Sequence, residues 1–315
     1  MKQLTNNIMM IRPANFGFNE QTATNNAFQS KDVISDAASL KEVAIKEFDN
    51  MVAILRSKGI NVMVVEDTVS PVKPDAVFPN NWISLHENGT LITYPMYAPN
   101  RRIERREDII EQIEASFKVK NRYSFEFYED EDELFLEGTG SMIFDRPNEI
   151  VYACLSQRTD ATLIDKFNVL MGTSSIVFKS VDRHGMEIYH TNVMMALGED
   201  FVVICMESIP DEDSRKDLLK SFERTGKEVI EITYEQMESF AGNMLEVISN
   251  EGTRYLAMSQ SAYNTLNKDQ KERLSEKTNL LPIPIDNIEK FGGGSVRCMM
   301  AEVFLPEREQ EIEEE

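Results

Sequence analysis

Five polar residues recur at nearly even spacing along the 315-residue chain: Asn81, Glu137, His190, Asn243 and Cys298, with gaps of 56, 53, 53 and 55 residues. Each sits in a short polar segment containing glycine or asparagine, such as Leu136-Glu137-Gly138, Tyr189-His190-Thr191-Asn192 or the run Gly292 to Cys298. A thiol, an imidazole and a carboxylate together support nucleophilic catalysis: a thiolate attacks, and a histidine relays protons to the leaving group and to water. Taken singly, each has a plainer use. A cysteine ending an apolar run is inert core, which is how Cys154 and Cys205 read, and His86 and His184 read as turn or surface residues. The same three groups could instead ligate a metal, but no ligand-spacing motif accompanies them. What singles out Cys298, His190 and Glu137 is the shared period.

The elements that would carry them repeat with the same period. Leu40, Val43, Ala44, Phe48, Met51 and Leu55 lie at helical spacing, Gly59 stops the helix, and Ile60–Val65 is rich in β-formers. Residues 214–232 repeat this around Gly226, and residues 159–178 around Gly172, with fainter copies ending near Val119 and Thr278. Between them fall strand pairs joined by polar turns: 82–85 with 91–94, 141–144 with 150–154, 193–197 with 201–205, and 244–248 with 254–258. Units of helix, strand and hairpin that cannot bury their own apolar faces must stack on neighbours. Five of them suggest a ring in which equivalent positions converge on one axis; an ordinary α/β sheet with coincidental spacing is the alternative. No Ser/Gly/Pro-rich linker divides the chain. The expectation is one α/β domain over 1–306 and a solvated acidic tail over 307–315.

Composition narrows the partners. Lys and Arg number 33 against 54 Asp and Glu, a net charge of −21, which argues against nucleic acid or an anionic membrane surface. No apolar run approaches the roughly 18 residues of a membrane span, and the opening MKQLTNNIMMIRP lacks a secretory leader's apolar stretch. Three cysteines without CxxC spacing make a disulfide framework or closed zinc site improbable and point to a reducing, cytoplasmic setting.

At these residues the sequence resembles the guanidine-modifying superfamily of arginine deiminases, dimethylarginine dimethylaminohydrolases, amidinotransferases and related citrulline hydrolases. The matching segments are Asp75-Ala76-Val77-Phe78, Leu91-Ile92-Thr93-Tyr94-Pro95, Ala98-Pro99-Asn100-Arg101-Arg102, Leu136-Glu137-Gly138 and Leu155-Ser156-Gln157-Arg158-Thr159, then the His190 and Cys298 segments, in family order. The resemblance implies a five-bladed α/β propeller of ββαβ units and a cofactor-independent hydrolase. It implies that Cys298 attacks the central carbon of a guanidino or ureido group, that His190 is the general acid and base, and that Glu137 and Asp75 hold the group's nitrogens. Arg101 and Arg158 fall where the family places arginines on the substrate's α-carboxylate; the plain alternative for Arg101 is the basic start of a helix.

Two positions depart from the deiminase pattern. Asn81 and Asn192 stand where arginine deiminases carry aspartates. A guanidinium offers only donors and suits carboxylates, whereas a ureido oxygen must accept, and an amide can donate to it. The expectation is therefore citrulline, hydrolysed to ornithine, ammonia and carbon dioxide. Arginine or methylarginine hydrolysis, amidino transfer and a non-catalytic binding propeller are the other readings. A small amino acid is the expected partner, with homo-oligomerisation left open.

Overall fold

The computed structural model describes residues 1–30 and 37–308. Residues 309–315 of the expected acidic tail lie outside the described residues. Glu307 and Arg308 lie within them: Glu307 accepts a hydrogen bond from Asn7 at 3.0 Å, and the Arg308 backbone donates to Ser116 at 3.0 Å.

Among the described residues the chain forms five three-stranded sheets. Near the start, β1 (Asn7–Arg12) and β2 (Asn61–Glu66) pair in parallel, joined through the helix Ala37–Ser57. The next sheet is a hairpin of β3 (Ile83–Leu85) and β4 (Thr90–Thr93), with β5 (Asn121–Ser124) returning parallel to β4 after the helix Glu107–Ser116. The pattern repeats in β6 (Ile143–Asp145), β7 (Ile150–Leu155) and β8 (Ser174–Lys179). It repeats again in β9 (Met195–Leu197), β10 (Phe201–Ile204) and β11 (Glu228–Glu231), and in β12 (Leu245–Ile248), β13 (Arg254–Ser259) and β14 (Asn279–Ile283). Finally β15 (Ala301–Glu302) returns to β1 and pairs antiparallel with it.

The hairpins and helix-to-strand junctions fall within a few residues of where the sequence pattern places them, because local chemistry fixes them; Ser141, Val193 and Met194, expected in strands, lie instead in the short helical turns Gly138–Ser141 and Thr191–Met194 that precede them. Asp160 caps its helix by accepting from Thr162 and Leu163, and Gly172 ends it in the left-handed conformation at φ 70°. Thr233 with Gln236 and Asn267 with Gln270 form capping boxes. The first sheet is different. Its antiparallel partner comes from the far end of the chain, so no local hairpin announces it, and β1 carries no signal as a lone apolar stretch.

Packing links the sheets in sequence. One apolar cluster joins β1 and β2 to the second sheet through Met9, Val65, Trp82 and Leu91. Another joins the second and third through Ile92, Tyr94, Val151 and Phe167, and a large one runs through the third, fourth and fifth. A last cluster packs the fifth against the first through Val247, Ala257, Ile8 and Phe48. The middle strand β10 is buried along its length, while the outer β5 is exposed throughout.

One expected surface residue is core. His86 is 2% exposed, with Nε2 2.7 Å from Ser84 Oγ and its ring against Phe144 and Phe167. Burial, aided by the charge of Arg146, holds it well below the usual histidine range. It follows β3 directly, and a residue beside a short strand in a stacked sheet is covered by the next sheet. Among the described residues, no helix is long and apolar enough to cross a membrane.

Phe48 is the aromatic on Ala37–Ser57 that seals the first sheet against the fifth, with no exposed surface. Phe48→Ala is expected to cost about 3–5 kcal/mol, read as the shift in denaturant midpoint at constant slope. A loss under about 1 kcal/mol would mean that this helix does not anchor the two sheets.

Candidate active site

The five periodic segments do meet. Cys298 lies on the 3-10 turn Val296–Met299, three residues before the start of β15, and its backbone N–H donates to Ser295 at 2.9 Å. Asn243 Nδ2 donates to its Sγ at 3.2 Å and Asn192 Nδ2 at 3.5 Å. The orientation of Asn243 is fixed on both sides: its Nδ2 also donates to the Asn192 carbonyl at 2.8 Å, and its Oδ1 accepts from the Arg297 backbone at 3.1 Å. Burial pushes the Cys298 thiol above its ordinary value of 9.0, opposed by the Ser295 and Asn243 hydrogen bonds, the Arg297 charge and Asn192. Cys154 and Cys205, also buried, are pushed up to about 12 and about 11.

His190 and Glu137 form the second half. His190 Nε2 lies 2.7 Å from Glu137 Oε2, and Glu137 Oε1 accepts from the Tyr97 backbone at 2.9 Å. Arg158 Nη1 stands 3.6 Å from Glu137 Oε2. Burial would raise Glu137, but the Arg158 charge, the His190 hydrogen bond and the Arg101 charge outweigh it and hold the carboxyl at about 2. Burial lowers His190 to about 4 despite Glu137. An ionised carboxylate only accepts, so the neutral imidazole carries its proton on Nε2 and keeps a lone pair on Nδ1. Tyr189 packs on the imidazole with ring centroids 4.8 Å apart, and the Arg158 guanidinium lies 4.8 Å from the Tyr189 ring centroid.

Asn81 ends the turn Pro79–Asn81, and its amide is oriented by Arg101, whose Nη1 donates to Oδ1 at 2.8 Å. An arginine only donates, so Oδ1 must face it and Nδ2 is left without a partner. Gly140 makes room for this: a Cβ there would sit 2.4 Å from Asn81 Nδ2 and 2.9 Å from the His190 ring. Arg101 itself is buried in a two-pronged contact with Glu104, both arms at 2.9 Å. Burial raises Glu104 to about 7 against the pull of Arg101, and the two-pronged geometry is that of the ionised pair. Asp75 accepts from Asn19 at 2.7 Å and Thr22 at 3.3 Å through Oδ2, while its Oδ1 has no partner. Burial raises Asp75, opposed first by Arg101. Asn192 Oδ1 is likewise unpaired.

These groups enclose a cavity of about 20 Å³, lined among others by Asp75, Asn81, Arg158, His190 and Cys298. That is room for about one water, because the segment from Asn19 to Gln29 covers it. Asn19 bonds Asp75, Asn25 bonds Arg158, Asn26 bonds the Gly293 carbonyl and Gln29 that of Phe291. The space beside the glycines before Cys298 is filled by protein: a Cβ on Gly292 or Gly294 would collide with the Phe78 ring, and one on Gly293 with Asn26. Sequence reading assigned no role to Asn243, Tyr97, Glu104, Gly140 or this covering segment. Asn243 stood on the period and the segment is conspicuous for its amides, but a main-chain N–H such as that of Tyr97 leaves no mark in a sequence. Among the described residues, no three His, Cys, Asp or Glu side chains group as a metal site.

A buried cysteine cradled by amides, beside a histidine oriented by a carboxylate in a chain of small stacked sheets, defines the guanidine-modifying superfamily of cysteine hydrolases. The sequence profile described as N,N dimethylarginine dimethylhydrolase, eukaryotic, matches residues 12–305, and the chain belongs to that family, whose members are hydrolases acting on guanidino C–N bonds. No curated protein matches the sequence. Among solved structures, the cyanobacterial arginine dihydrolase ArgZ is similar with a TM-score of 0.74 at 17% identity, over 95% of this chain and 41% of that one. The chain thus spans less than half of ArgZ. The substrate-bound N-terminal domain of ArgZ is covered to 98%, with a TM-score of 0.74 at 16% identity. A dimethylarginine dimethylaminohydrolase in adduct with S-methyl-L-thiocitrulline gives 0.65 at 16% identity, covering 95% of this chain and 99% of that one. Identities this low speak to the fold.

With the imidazole neutral and the thiol raised, the resting pair is thiol and imidazole rather than thiolate and imidazolium. Alkylation of Cys298 by iodoacetamide should therefore quicken about tenfold per pH unit from pH 6 to 9. A plateau reached below pH 7 would show a preformed ion pair and contradict this ordering.

Proposed function

We propose that this protein hydrolyses the ureido group of citrulline to ornithine, ammonia and carbon dioxide. The observation that carries the reading is the fixed amide of Asn81, a residue lining the cavity with an unpaired N–H donor where a carboxylate would offer only an acceptor. A ureido oxygen needs that donor, and the oxygen gains negative charge on attack, when the bond is worth most. Asp75, which also lines the cavity, has an unpaired acceptor in Oδ1 that suits a ureido nitrogen.

The steps follow from the resting protonation states. His190 takes the thiol proton and Cys298 attacks the ureido carbon. The terminal C–N bond breaks, with His190 returning the proton so that ammonia leaves and a thiocarbamate remains on Cys298. Water, deprotonated by His190, attacks that carbon; the C–S bond breaks, and the carbamate released loses carbon dioxide to give ornithine. One water is consumed and no cofactor is called for. Glu137 holds the imidazole in the required tautomer throughout, and Arg158 takes the substrate's α-carboxylate. We take the five sheets as the blades of a closed five-bladed propeller over residues 1–306, with a cytoplasmic location.

A second reading is arginine or methylarginine as substrate. The two carboxylates Asp75 and Glu137, one with a free oxygen, favour a cation, and structures of AgrE, similar in fold, hold L-arginine or ornithine with NAD+. Purified protein incubated with citrulline, arginine and dimethylarginine separates the readings: ornithine and ammonia from citrulline are expected, and consumption of arginine alone would overturn the first. Cys298→Ser should abolish turnover with an unchanged melting curve; activity near wild type would remove the covalent mechanism. Changing Asn81 and Asn192 together to aspartate should shift the kcat/KM ratio toward arginine by about tenfold or more. An unchanged ratio would mean that these amides do not set the choice.

A further inference from the structure

Two arginines and one carboxylate meet behind the active site. Arg297 and Cys298 are consecutive on one turn but line different cavities: Cys298 the one described above, Arg297 a second of about 20 Å³ walled by residues of β6, β9, β12 and β15. There Arg297 Nη2 donates to Glu302 Oε2 at 2.8 Å and Nη1 to the Met300 carbonyl at 2.8 Å. Arg146, just past β6, stands 3.8 Å from the same carboxylate oxygen. Among the described residues, no side-chain N–H of Arg146 has a hydrogen-bond partner. Its guanidinium is held instead by two rings, 3.9 Å from the Phe304 centroid and 4.8 Å from that of Phe144. Rings take the faces of a guanidinium and leave its in-plane donors unspent. Arg146 is only 7% exposed, yet its nitrogens keep accessible surface, and the residue lines the cavity.

The charges here do not balance. Glu302 is taken by Arg297, the nearer of the two arginines. Glu246, also at the cavity, accepts from the Glu199 backbone at 2.8 Å, has Arg254 Nε 3.9 Å from its other oxygen, and is raised by burial. Glu87, whose charge reaches Arg146, is bound by the Lys2 backbone at 3.0 Å. Gln3 spends both ends of its amide on the backbone of Phe144 and Arg146, each at 2.9 Å. Burial lowers the Arg146 pKa, against the pull of Glu302 and with the push of Arg297. Arg146 is thus a buried cation in excess, and such a charge is costly until an anion meets it. We propose that this cavity is a binding site for one small monovalent anion, of the size and charge of chloride, held by the N–H edge of Arg146. The volume is that of about one water, which is too small for phosphate or a carboxylic acid. A water would fill the space but leave the charge uncompensated, and one surplus positive charge calls for one negative charge.

The site shares no lining residue with the Cys298 cavity and holds whichever compound is hydrolysed. The probe is chloride itself. The whole protein is titrated with sodium chloride, sodium gluconate keeping the ionic strength constant, while the chlorine NMR linewidth is followed. A surface of net charge −21 gathers few anions, so broadening that saturates reports a built site. Saturable broadening is expected in wild type. Arg146→Met keeps an apolar stem between Phe144 and Phe304 and removes the charge, and its affinity for chloride is expected to fall by about tenfold or more. Broadening that never saturates in wild type would overturn the site, and so would saturation unchanged in Arg146→Met. If that variant fails to fold, wild type decides alone. Crystals grown in sodium bromide are expected to show an anomalous peak within hydrogen-bond reach of the Arg146 guanidinium, and a cavity without one would overturn the proposal.

Discussion

The structure turns on one buried carboxylate. Glu137 has no solvent exposure, so its charge survives only because partners reach it from elsewhere in the chain: the Tyr97 backbone, the His190 imidazole and the Arg158 guanidinium. Those three come from three different polar segments, between the second and fourth sheets. A carboxylate that needs all of them forces the segments to converge. In return it sets the histidine tautomer and holds Arg158 at the cavity. The catalytic arrangement and the packing of these sheets are thus one constraint viewed from two sides.

Amides do most of the remaining work, and each is oriented by a neighbour of fixed role. Arg101 can only donate, which turns Asn81 one way; the Arg297 N–H and the Asn192 carbonyl turn Asn243. Asn243 and Asn192 thereby aim donors at the Cys298 sulfur without bringing a cation beside it. Donors of this kind favour a thiolate as it forms while leaving the resting thiol protonated.

Much of this was legible in the sequence. The helix-strand-hairpin period rests on local signals, Gly59, Gly172 and Gly226 as stops and Asp160 as a cap, and such signals survive reading one segment at a time. So did the placing of Cys298, His190 and Glu137, because equivalent positions in repeating units converge. What stayed hidden was non-local. The first sheet takes strands from opposite ends of the chain. His86 was covered by the sheet that follows it. Arg101, expected on the substrate's α-carboxylate with the basic start of a helix as the alternative, lies on the short helix Pro99–Arg102 and is buried against Glu104, three residues on, a helical spacing that a close reading could have flagged. The covering role of Asn19 to Gln29 depends on partners scattered from Asp75 to Gly293, which no local pattern encodes.

The first sheet has a temporal meaning. Its antiparallel strand β15 is the last strand among the described residues, and Cys298 stands three residues before its start. As the polypeptide lengthens from its amino end, Glu137, His190, Asn192 and Asn243 all emerge before the nucleophile. The turn that holds the thiol gains its anchor only when β15 docks on β1, the earliest strand among the described residues. Glu137, His190 and Asn243 lie beside sheets closed by their own hairpins, whereas the segment of Cys298 waits on a strand from the opposite end of the described chain.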